Sequence, residues 1–277
     1  MNANVDPGLI EELENIEIAA WSDFYKAASA NSKSSCGLQI VEARGAMAGL
    51  ASEADVLGLN RVVGLGTESS VSPAVLDDLI ARYTDAGIPR FFVQVSPIAV
   101  DRGLPRQLID RGFHHYNNWV KLHRNISPIS DASTDLAVRQ IDTGEAESFG
   151  RNVAECFGWP EVTSGWVADL VGCSGWHHYM AYDGTTPVAT GSLCVRDDYA
   201  WIDFATTLPD YRGRGAQSAI LARRIADAAE SGCHTVVVET AEETPEKAAP
   251  SYRNMVRYGF GLSNVRANFI YVEGEPA

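Results

Sequence analysis

Apolar residues recur at helical spacing in SPAVLDDLIARYTD (72–85) and again in QSAILARRIADAAE (217–230). Each run is followed by a glycine and then by a short β-branched or aromatic stretch, in AGIPRFFVQV (86–95) and SGCHTVVVET (231–240). The three-and-four spacing predicts two amphipathic helices, and the bounded apolar runs predict two buried strands. The two pairs echo each other. At an offset of 145 residues Leu76 falls on Leu221, Ile80 on Ile225 and Gly87 on Gly232. LPRQLIDRGF (104–113) then matches SYRNMVRYGF (251–260) at an offset of 147, which a two-residue insertion explains. Three matches in one order point to a duplicated unit.

Period and punctuation predict the rest of the second copy. TDLAVRQID (134–142) alternates like a strand, 143–156 reads as a helix stopping near Gly158 and Pro160, and 164–171 reads as a second helix. Three antiparallel strands follow, turning at Asp183-Gly184 and Asp197-Asp198. Beyond a loop at 212–215 come a helix over 216–230, the strand TVVVET, a helix from Pro250 to just before Gly259, and a closing strand, ANFIYVE (267–273). This order predicts a mixed α/β sheet rather than an alternating doubly wound one. The polar stretch RNISPISDAST marks a linker at 125–133, so the expected domains are 1–124 and 134–277.

At 277 residues and 45% hydrophobic, the chain can bury two ordinary cores. A formal net charge of −14 argues against a nucleic-acid or anionic-membrane partner, since attraction to phosphate needs excess cations. Five scattered cysteines without a CxxC pair indicate neither a disulfide framework nor a metal knuckle. No metal is expected. The acidic N-terminal segment lacks a basic start and an apolar core, and no stretch resembles a membrane span, so a cytoplasmic protein is expected. Monomer and homodimer both remain open.

Candidate chemistry concentrates at Arg212-Gly213-Arg214-Gly215-Ala216-Gln217. Glycines there let successive N–H groups turn into one concavity, and the following helix adds its positive end, an arrangement suited to a diphosphate. The first copy has TESSV (67–71) at this place. No GK(S/T) ending is present, which excludes a Walker A loop. A dinucleotide fingerprint on Gly213, Gly215 and Ser218, with Glu239 as the ribose acid, fails because Leu208 to Arg212 separate strand from glycines.

The loop resembles the (Q/R)xxGx(G/A) signature of the GNAT superfamily of acyl-CoA-dependent N-acyltransferases, with Gln217 in place of the last small residue. Gly259-Phe260 is a second family landmark. The resemblance implies two tandem GNAT-like domains, each a mostly antiparallel sheet with a central splay flanked by helices, the first a degenerate copy without the loop. It implies acetyl-CoA as co-substrate: the backbone of Ala205, Thr206 and Thr207 against pantetheine, the amides of 212–217 and the side chains of Arg212 and Arg214 on the pyrophosphate, and Ser251 and Asn254 in the same groove.

Acyl transfer to an amine needs a proton acceptor and gains from a donor to the leaving thiolate. Met255 stands where many such enzymes carry a tyrosine, so Tyr252, one turn earlier, is the candidate acid. Asp203, inside an otherwise apolar strand, is the candidate base, with a salt-bridge role or proton loss through water as alternatives. Glu239 is expected on a solvated edge. His177 and His178 face opposite ways along their strand, so at most one reaches the cleft, and His177 is the candidate. Trp159, Trp166 and also Trp176 are candidates for the acceptor wall or for core. The expected activity is acetylation of a small-molecule primary amine; the alternatives are a non-catalytic acyl-CoA-binding module and a dinucleotide-dependent oxidoreductase.

Overall fold

Proline opens several helices of the chain and glycine follows most of them within three residues, and the computed structural model describes residues 6–128 and 132–275. The first half runs α1 (Pro7–Ala27), α2 (Ala30–Cys36), β1 (Leu38–Ala43), β2 (Ala46–Ala51), β3 (Arg61–Val63), α3 (Pro73–Asp85), β4 (Arg90–Val95), α4 (Pro97–Asp101), α5 (Leu104–Ile109) and β5 (His114–Asn125). The second runs β6 (Ala137–Gln140), α6 (Ala146–Phe157), α7 (Thr163–Asp169), β7 (Trp176–Asp183), β8 (Thr186–Arg196) and β9 (Tyr199–Thr207). It closes with α8 (Ala216–Glu230), β10 (Thr235–Ala241), α9 (Pro250–Arg257) and β11 (Gly261–Val272). Residues 129–131 of the expected linker lie outside the described residues.

Most predicted elements appear where periodicity puts them. Helix α6 ends on Gly158 in the left-handed region, and the β7–β8 and β8–β9 turns carry φ of +59° at Gly184 and +48° at Asp197. The closing strand starts six residues earlier than ANFIYVE, because GLSNVR, polar as it is, pairs along β5.

One mixed, mostly antiparallel sheet of eleven strands carries both halves, in the order β1-β2-β3-β4-β11-β5-β10-β9-β8-β7-β6. The last strands of the halves are exchanged. β5 pairs with β10, Asn125 opposite Thr235, while β11 pairs with β4, Val272 opposite Arg90. β5 and β11 then pair with each other at the centre. They coincide at both ends under the 147-residue offset of the sequence repeat.

Strand alternation divides the core between two faces. Trp201 and Val237 join α1, α6 and α7 in one cluster that also holds Met47 and Val63 of the first half. Ile202, Val236 and Val238 pack under α8 and α9, and Val62, Phe91 and Val93 under α3 and α5. At the centre of the α1 face lies a buried ionic cluster. Lys121 reaches Glu14 at 3.0 Å and Glu17 at 2.7 Å; Arg266 reaches the same two at 3.0 and 2.7 Å. Arg61 pairs with Glu239 at 2.9 Å, and Glu239 also contacts Arg266. No described helix is long and apolar enough to cross a membrane.

Candidate active site

β9 and β10 pair in parallel only from Tyr199 to Trp201 and from Thr235 to Val237; beyond that the strands part. The β8–β9 ladder is also interrupted, between Thr190 and Ser192, where Phe204 adopts a φ of +48°. A non-glycine residue there is strained unless its surroundings hold it. Here the Asp203 carboxylate accepts from the Phe204 N–H at 2.7 Å, and the Phe204 carbonyl accepts from Thr190 Oγ1 at 2.7 Å. This bulge divides two cavities. Ala205, Thr206 and Thr207 line a groove of about 550 Å³, and Asp203 and Phe204 line a second of about 490 Å³. Phe157 touches both.

The first groove holds the glycine loop. Gly213 has a φ of +82°, and a Cβ on it would enter open space; Gly215 has a φ of +81°, and a Cβ there would stand 2.6 Å from the Ser133 carbonyl oxygen. Only glycine suits either position. Thr134 Oγ1 donates to the Arg214 carbonyl at 2.7 Å, so the chain just after the linker braces the loop from behind. The two arginines differ. Arg212 lines the groove, whereas the Arg214 guanidinium turns away to Asp183 at 2.9 Å and to Asp135. Only its main chain remains for an anion in the loop.

Gln217, which departs from the family signature, points inward. Its Nε2 donates to the Thr190 carbonyl at 3.0 Å and to the Thr206 carbonyl. Two turns along α8, buried Arg224 donates from Nη1 to the carbonyls of Ser192 at 3.1 Å and Asp203 at 3.2 Å. Burial lowers its pKa to about 10, leaving it a cation. The carbonyls flanking the bulge thus take hydrogen bonds from the helix. Ser251, Asn254 and Met255 of α9 complete the groove, while the Tyr252 ring packs on the core under α8 and lines neither cavity.

The second groove is built from both halves. Trp159 stands edge-on to Phe204, with centroids 6.4 Å apart; Phe92 and Trp119 of the first half make a second edge-on pair at 5.5 Å. The Arg61 guanidinium lies 3.9 Å over the Trp21 ring. Asp203 accepts from Trp201 Nε1 at 3.2 Å and makes no ion pair among the described residues. Burial pushes its carboxyl above the usual aspartate value, against the Phe204 N–H, Arg61 and the Trp201 N–H, which favour the charged form.

Several expected positions differ. Glu239 is not on a solvated edge: its side chain is 7% exposed, because β5 covers the side of β10 that the second half alone would leave open. Trp166 is fully buried, stacked on Phe24 at 4.1 Å, and donates to the Phe24 carbonyl at 2.9 Å. Trp176 is likewise core, its Nε1 3.2 Å from Asp23. His177 sits beside Gln140, and His178 is buried against Phe149 with a pKa lowered to about 3 by burial; neither lines a described cavity. Trp21, Arg61, Phe92 and Trp119 escaped the sequence reading altogether. The available signal was Arg61 within NRVVG, a cation in a short apolar strand.

The chain matches the acetyltransferase (GNAT) family over residues 146–255. No curated protein matches it. Among solved structures it resembles the GCN5-related N-acetyltransferase from Kribbella flavida, at 16% identity and a TM-score of 0.59 over 89% of this chain and 97% of that one. The GCN5-related N-acetyltransferase from Sphaerobacter thermophilus gives 14% and 0.58 over 83% and 81%. A tandem GNAT protein from the clavulanic acid biosynthesis pathway gives 13% and 0.58 over 84% and 79%. These are likenesses of fold, and they extend across both halves.

Proposed function

We propose that the protein, whose residues 146–255 form a GNAT acetyltransferase domain, transfers the acetyl group of acetyl-CoA directly to the primary amine of a small molecule. One observation carries this: two grooves meet at the Phe204 bulge, one backed by a glycine loop and a helix start, the other holding a buried carboxylate that makes no ion pair among the described residues. The first suits a pyrophosphate on the amides of 212–217 and a pantetheine arm along Ala205–Thr207, where β9 has no β10 partner. The thioester then lies near Phe204, within reach of an amine in the second groove.

In the step itself an amine that has first given its extra proton to water bonds through nitrogen to the acetyl carbon, the C–S bond breaks, and the proton then shed by nitrogen passes to Asp203. The departing CoA thiolate takes a proton from water. Raised above its ordinary value by burial, the Asp203 carboxylate is a stronger base than a surface aspartate. Tandem duplication, with residues 1–124 as a copy that lacks the loop and 134–277 as the CoA-binding unit, belongs to the same proposal. The matching offsets of the repeat and the exchanged strands support it.

Met255 at the usual tyrosine position favours one other reading, an acyl-CoA-binding module without turnover. Acetyl-CoA titration alongside thiol release with a panel of amines separates the two. Binding that Gly215→Val abolishes, together with thiol release, is expected. Binding without release on any amine would leave the module, and no binding would end both.

A further inference from the structure

Resting on the acetyl-transfer reading, we propose that the acceptor is a primary monoamine carried on an aromatic body, an arylalkylamine rather than a polyamine or an amino sugar. The second groove commits its walls and its charges differently. Seven of its seventeen lining residues are aromatic, three of them among the chain's six tryptophans. Trp159 with Phe204 and Phe92 with Trp119 form two edge-on pairs in this lining, and such rings offer apolar surface to a flat ligand ring.

The charges admit one cation. Four lining residues carry a formal charge at neutral pH: Arg61, Lys247, Asp203 and Glu239. Glu239 is already occupied, by Arg61 at 2.9 Å, by Gln94 at 3.0 Å and by Arg266. Asp203, the other lining carboxylate, makes no ion pair among the described residues; its hydrogen bonds come from Trp201 and the Phe204 N–H, with Arg61 near enough to favour its charged form. Exposed Lys247 lines the same cavity and, with Arg61, repels a second ammonium. The chain's net charge of −14 therefore does not reach this pocket, where two cations face two carboxylates. A sugar would meet few partners for its hydroxyls, since uncharged polar side chains are contributed only by the tyrosine, asparagine and threonine of Tyr116, Asn117 and Thr240 and by the indoles. An amine held at Asp203 stands at the bulge bordering the CoA groove, and its ring extends toward Trp159 and Trp119.

The test is equilibrium binding of 2-phenylethylamine, n-butylamine, spermidine and glucosamine to the full chain, with and without saturating CoA, which fills the first groove but has no acetyl group to transfer. 2-Phenylethylamine is expected to bind at least about tenfold more tightly than each of the others, the ring supplying the difference. Trp159→Ala should bring it within about threefold of n-butylamine while the Kd for acetyl-CoA is unchanged; Trp119→Leu, in the aromatic pair from the first half, should act in the same direction. Spermidine or glucosamine binding as tightly as 2-phenylethylamine, no effect of either tryptophan variant, or no binding of any amine would overturn the assignment. Because amine binding is read without turnover, a failure of acetyl transfer leaves this ranking to stand or fall alone.

Discussion

Gln217 and Arg224 stand two turns apart on α8, and each joins a carbonyl of β8 to a carbonyl of β9: Thr190 with Thr206, and Ser192 with Asp203. The bulge that divides the grooves is thus fastened from one helix face. Gln217→Ala removes a hydrogen bond from each of two carbonyls and should cost about 1–3 kcal/mol. Acetyl-CoA affinity should fall with it, because both carbonyls belong to strands that shape the groove. Denaturant melts and titration calorimetry check this, and unchanged stability would refute the clamp.

Arg212 and Arg214 look equivalent in the sequence and are not equivalent in space. Arg212→Gln should weaken acetyl-CoA binding by about tenfold or more, the scale of a charge-assisted hydrogen bond. Arg214→Gln, which breaks pairs to Asp135 and Asp183 outside the groove, should weaken it by less. Calorimetry on the two variants decides, and an equal loss would place Arg214 on the ligand.

Asp203 titrates above the ordinary aspartate value, so its basic form is lost as pH falls through that raised pKa. The rate should therefore decline on the acid side, at a pH higher than a solvated aspartate would give. Asp203→Asn should lower kcat by about 10²- to 10⁴-fold and remove that acid limb. A variant that keeps the limb would show that another group titrates.

Tyr252 lies outside both cavities. Tyr252→Phe should therefore keep kcat within about threefold, well short of the loss expected for a general acid. A large fall with a changed alkaline limb would restore it as the proton donor.

Glu17 belongs to the buried ionic cluster. Burial pushes its pKa up, but Arg266, Lys121 and Arg61 outweigh burial and hold it at about 2, below the ordinary 4.5. A depressed folded value means stability present above 4.5 and lost as pH falls toward 2. Glu17→Gln should cost about 3–5 kcal/mol at neutral pH, since it leaves cations uncompensated. The gap between variant and parent should close between pH 4.5 and 2 in melts.

The elements of the second half were legible because local periodicity and turn residues specify them; α8 has the predicted bounds. The glycine loop was legible for the same reason. Pairing across the halves was not, since β5 and β10 lie more than a hundred residues apart and nothing in either strand names its partner. Glu239 was misplaced for that reason. Glu14, Glu17, Lys121 and Arg266 read as solvated positions in a sequence, and only the exchanged strands show that they neutralise one another inside.

The exchange of β5 and β11 also sets an order of events on the ribosome. When residues 1–125 have emerged, β4 has no β11 on its far side, and that covering strand, Gly261–Val272, follows only after residues 126–260 have been made. The nascent first half must therefore hold an open edge through the synthesis of nearly all the second, exposed to mispairing for that whole interval.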